Sequence, residues 1–274
     1  MRTNKSLKRL SRRLPRLPQV HKRQIFVSGV LLLSLGLFIT QYLFSRSGII
    51  AVVLLSIITD FFMYWALDDD LKERFSIGVF ILPFFYSLSF GLFYFLVPAR
   101  ILTRIVVTLL YGFGLYSLFL SENIFVVSSI RTIALLSSAR TVSFVVTILS
   151  YFFLSNVIFS LHLNIFFLLI MLFVFTFPLV FHSIWTYFLE IKLKEASWWA
   201  GLISIVIMEV GTALWFWPSR PTVIALFLTG FFYAVIGLVQ AWFDKRLFRN
   251  VIFEYIYVAA LVFAVLIIFT SWSG

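Results

Sequence analysis

Apolar residues run in stretches of about twenty along nearly the whole chain, separated by short polar breaks. A helix rises ~1.5 Å per residue and the hydrocarbon core of a bilayer is ~30 Å thick, so about 20 such residues cross it. The pattern predicts spans at 25–44, 49–67, 75–97, 101–120, 141–161, 163–188, 198–217, 221–243 and 251–270. The expected fold is therefore all-α, a polytopic transmembrane helix bundle of about nine spans. Residues 121–140 break the rhythm, being too polar to span comfortably and too apolar for a free loop. Val126, Ile130, Ile133 and Ala134 share one side of a helical wheel, with Ser128, Arg131 and Thr132 roughly opposite, which predicts an interfacial or re-entrant helix there.

Composition agrees with a lipid solvent. The chain is 62% hydrophobic and 12% charged, against about 25% charged in a soluble domain. It divides into a basic tail, 1–24, and one expected membrane domain, 25–274. The apolar run Ile25–Phe44 exceeds the 7–15 residues of a signal-peptide core and reads as a first span. With no cysteine, disulfides, thiolate nucleophiles and Cys-ligated metals are excluded. His21, His162 and His182 are too scattered to suggest a metal site. No cofactor is expected.

Charge sets the orientation. With the N-terminus inside, eighteen Lys and Arg fall on the cytoplasmic side and four on the other, a strong positive-inside bias. Nine spans then put the C-terminus outside a bacterial cytoplasmic membrane. The basic tail serves first as a topogenic signal. Contact with anionic lipid headgroups is its second reading, and a nucleic-acid arm ranks last.

Ionisable residues inside spans are costly and mark function by default. Asp60 and Glu209 each lie 11 residues into a span, about 16 Å deep, in helices that run in opposite directions. Two such acids at one central site would suit an inverted-repeat or proton-linked carrier. The plainer role is a protonated acid donating one packing hydrogen bond. His182 follows Pro178, whose ring frees a carbonyl one turn back. Arg131 and Glu254 are secondary candidates, with Glu254 near the inner end of the last span, close to Arg249.

A third set of acids lies at the inner face. Asp68, Asp69 and Asp70 follow span 2, while Glu190 and Glu195 flank the break after span 6. Hard oxygen ligands on two helix ends could hold Mg²⁺ against a diphosphate. The layout is similar to the membrane-bound aromatic prenyltransferases, whose nine spans and aspartate motifs after spans 2 and 6 imply a Mg-dependent transfer to a lipid substrate. The spacing departs from that family: the aspartates are contiguous, and the second pair encloses Ile191-Lys192-Leu193-Lys194.

Glu209, the Trp215-Phe216-Trp217-Pro218 turn, Tyr233 with Gly237-Leu238-Val239-Gln240, Glu254-Tyr255 and the segment around Glu122 and Arg131 carry another likeness. Together they resemble a group of uncharacterised multi-pass proteins of candidate-phyla bacteria, which implies no activity. Three roles stand open on the sequence: a small-solute or proton-linked carrier, a non-catalytic component assembling as a homo- or hetero-oligomer, and the Mg-dependent transferase.

Overall fold

The computed structural model describes residues 22–43, 48–72, 76–98, 100–128, 135–187 and 193–271. Among them are nine helices and no strand: α1 (Lys22–Leu43), α2 (Gly48–Leu71), α3 (Gly78–Tyr94), α4 (Ile101–Ser128), α5 (Leu136–Ser160), α6 (Ile165–Tyr187), α7 (Leu193–Trp215), α8 (Pro221–Phe243) and α9 (Arg249–Ile268). Eight are long and apolar enough to cross a bilayer; α3, at 17 residues, is shorter. The surface is that of a protein surrounded by hydrocarbon, with Phe61, Phe113, Phe166 and Ile268 more than 70% exposed. Such a surface cannot be stable in water at this density.

Residues 121–140 are divided rather than forming a helix of their own. Residues 121–128 extend α4, residues 136–140 open α5, and 129–134, Arg131 among them, lie outside the described residues. The basic tail up to residue 21 lies outside them too.

Contacts at the helix ends fix alternating directions. At one end Lys22 of α1 meets Asp70 of α2, and Trp185 near the end of α6 covers Gly78 at the start of α3. At the other end Phe95 covers Gly48, Trp215 Nε1 donates to the Leu163 carbonyl at 3.1 Å, and Trp217 Nε1 donates to Thr270 Oγ1 at 2.7 Å. Of the long spans, α5 is the most buried and α9 the least. Tyr151 of α5 stacks on Phe232 of α8 with ring centroids 4.2 Å apart.

Without a hydrophobic drive between helices in lipid, close approach and buried polar contacts supply the specificity. Gly237 of α8 is covered by the Tyr255 ring of α9. A buried chain joins α2, α3 and α4: Thr59 Oγ1 to Ser87 Oγ at 3.1 Å, and Ser87 Oγ to Tyr111 Oη at 2.9 Å. Tyr86 Oη donates to the Tyr111 carbonyl at 3.0 Å. Two helices end on a left-handed residue other than glycine, His162 after α5 and Lys245 after α8. Both sit where a carbonyl-capping turn needs positive φ.

Candidate functional site

Pro178 lies inside α6 and cannot donate a backbone hydrogen bond, which makes this turn the place where the helix can flex. One turn further on, His182 is fully buried, and its Nε2 lies 2.9 Å from Oε1 of Glu122, also fully buried, on α4. The helices themselves, α4 and α6, are not among the closely packed pairs of the bundle, so the two side chains reach across to each other. Glu122 sits six residues before the end of α4 and His182 five before the end of α6. That places the pair about 8 Å inside the Lys22 end.

One proton between Oε1 and Nε2 satisfies that bond, donated either by the imidazole or by the protonated carboxyl. Among the described residues, neither Glu122 Oε2 nor His182 Nδ1 has a hydrogen-bond partner. Each such buried polar atom costs about 1–3 kcal/mol, so the arrangement is expensive as mere packing. The Trp185 ring stands 5.9 Å from the His182 ring, and Phe125 meets Trp185 edge-on at 6.0 Å.

The end of α6 is pinned from α5. Arg140 Nε donates to the Thr186 carbonyl at 3.0 Å and Nη2 to the Tyr187 carbonyl at 2.7 Å, with the guanidinium 4.9 Å from the Tyr187 ring centroid. A cation on the last carbonyls of a helix also meets the negative end of its dipole. The His182 turn is therefore held at its C-terminal side, four residues after the break that Pro178 makes in the backbone hydrogen-bond ladder.

The adjoining face of the same helix turn lines a second feature. Asp60, mid-way along α2, borders a cavity of about 430 Å³ together with Phe80 and Phe84 of α3, Phe177 and Phe181 of α6, and Ser197 of α7. Asp60 Oδ1 is buried with no hydrogen-bond partner among the described residues. Phe181, on the cavity wall, directly precedes His182 in the chain. The groove and the buried pair thus share one turn of α6.

The remaining sequence candidates lie elsewhere. Glu209 is exposed on α7 and does not line the Asp60 groove. Glu254 is exposed on α9, where Arg249 instead lies over the Phe253 ring. Asp70 pairs with Lys22 and Asp68 with Lys72. Glu195 is exposed in the first turn of α7, where an acid favours the helix dipole. Glu190 and the Asp69 side chain lie outside the described residues. Among the described residues no group of three His, Cys, Asp or Glu could hold a metal ion.

Glu122 figures in the sequence only as part of a family likeness and not among the candidate site residues. It stands in Ser121-Glu122-Asn123, a polar triplet that reads as the end of a span. Its partner is 60 residues away, and no local spacing announces the pair.

The fold and these buried ionisable groups define a polytopic α-helical membrane protein. Within that class, the chain belongs to the family described as "Protein of unknown function (DUF5656)", which residues 25–269 match. No curated protein and no solved structure matches it.

Proposed function

We propose that the protein is a proton-linked carrier of a small solute, with Glu122 and His182 as its proton site and the Asp60 groove as the place where solute sits. One observation carries this reading: a fully buried acid–imidazole pair, each group with an unpartnered polar atom, stands one residue along α6 from the wall of the groove. Adding a proton to the pair changes its charge by one. In a low-dielectric interior such a change is too costly to leave the surroundings unmoved. The Pro178 turn is the element positioned to respond, and Phe177 and Phe181 would carry the movement into the groove.

The carrier is placed in a bacterial cytoplasmic membrane with its N-terminus inside and its C-terminus outside, on the eighteen-to-four distribution of Lys and Arg. Its basic tail would rest on anionic headgroups. The metal-dependent transferase has less support among the described residues, where Asp68 and Asp70 take lysine partners.

The test needs no knowledge of the solute. The chain has no cysteine, so spin labels can be attached at Ile57→Cys on α2 and Ile205→Cys on α7, both exposed positions. Inter-label distances in nanodiscs are compared at about pH 5 and about pH 8, the range over which an ordinary imidazole changes charge. The expected result is a shift in the distance distribution that Glu122→Gln abolishes. An identical distribution at both pH values would point instead to a static membrane component.

A further inference from the structure

From the lining of the Asp60 groove we infer that its ligand is a lipophilic organic cation: an ammonium or iminium group on an aromatic or aliphatic body. The inference names the solute class of the proposed carrier and rests on that reading for transport, though not for binding.

The groove's polar side chains are few. Asp60 and Ser197 stand among Phe80, Phe84, Phe177 and Phe181. Its volume of about 430 Å³ falls in the range that holds a small organic molecule, about 300–1,000 Å³. A second hollow of about 510 Å³ shares Phe177 and Ser197 with it and carries Trp198 and Lys194. The two hollows adjoin, leading from the exposed Lys194 at the start of α7 to Asp60 half-way along α2.

Each class of solute makes a different demand on such a site. A sugar or other polyol needs many hydrogen-bonding groups, and among the described residues this wall offers two polar side chains, Asp60 and Ser197. An anion would meet a carboxyl and, among the described residues, no cation at the Asp60 end. A plain hydrocarbon tail gains nothing from an acid, which is expensive to hold beside lipid. A lipophilic cation uses both features at once. Its charge gives Asp60 Oδ1 the partner it lacks, and phenyl faces attract cations while covering an apolar body.

Ethidium, a permanent aromatic cation, and phenanthridine, its neutral ring core, separate charge recognition from partition into lipid. Binding is followed by fluorescence in nanodiscs of phosphatidylcholine. Ethidium should bind the intact chain saturably and at least about tenfold more tightly than phenanthridine. Asp60→Asn should weaken ethidium by about tenfold or more, and Asp60→Glu should restore most of it. Asp244→Asn, at an exposed acid away from the groove, should change nothing. Equal binding of the neutral compound, equal loss in Asp244→Asn, full binding in Asp60→Asn or no saturable binding at all would each overturn the inference. Should ethidium fail to bind while the pH-driven distance change persists, the cation site falls and the carrier stands. Binding without that distance change leaves the cation site and removes the carrier.

Discussion

His182→Ala should lower stability by about 3 kcal/mol, measured as the loss of folded protein in a denaturation series in detergent micelles. The substitution removes the one partner that a fully buried carboxyl has among the described residues. Breaking a buried pair from one side costs about 3–5 kcal/mol when the remaining charge stays ionised, and about 1–3 kcal/mol when the stranded group is neutral. The estimate lies between these because Glu122 can take up a proton once its partner is gone. Replacing both partners with Leu removes both polar groups, and such exchanges are frequently neutral or stabilising. The double variant is therefore expected within about 1 kcal/mol of the parent. It should also lose the pH-dependent distance change. A His182→Ala variant as stable as the parent would mean that the pair does not form.

The second large effect lies in the packing of α3 against α4. Gly114→Ala would drive its Cβ into the Tyr86 hydroxyl. Tyr86 is fully buried, stacks on Tyr111 at 5.5 Å and donates to the Tyr111 carbonyl. A shift of Tyr86 would press on Tyr111, whose hydroxyl is bonded into the Ser87–Thr59 chain. Overpacking costs about 1–3 kcal/mol and the lost hydrogen bond about 1 kcal/mol more. Gly201→Ala on α7 is the matched control, because nothing lies within 4 Å of its added Cβ. Alanine is the better helix former by up to about 1 kcal/mol, so this variant should hold or gain stability. The two substitutions, identical in chemistry, are expected to differ in sign in the same denaturation assay. Equal effects would contradict the packing of Tyr86 against α4.

Most of the fold was legible because a bilayer imposes one length on every helix. The span expected at 221–243 coincides with Pro221–Phe243. By contrast α3, expected over 75–97, covers only Gly78–Tyr94, and α4, expected to stop at residue 120, continues to Ser128. Ser121, Glu122 and Asn123 look like the water-facing end of a span only while Glu122 has no partner in view. His182 supplies that partner from another helix, and a contact of that range leaves no trace in local hydropathy. Asp60 and His182 were visible as isolated ionisable groups in apolar runs. Glu209 gives the same one-dimensional signal as Asp60 but lies exposed on α7. Hydropathy measures depth along a helix; which neighbours its faces meet is decided by packing.

Ethidium uptake into proteoliposomes that enclose DNA tests the proton link most directly. The intact protein should accumulate ethidium under a pH gradient of one sign, interior acid if the cation enters in exchange for a proton leaving and interior alkaline if the two enter together, and collapse of the gradient should stop it. Glu122→Gln and His182→Gln should show no gradient-driven accumulation. Uptake that ignores the gradient, persists undiminished in both variants or never begins although ethidium binds would contradict a proton-linked carrier built on Glu122 and His182.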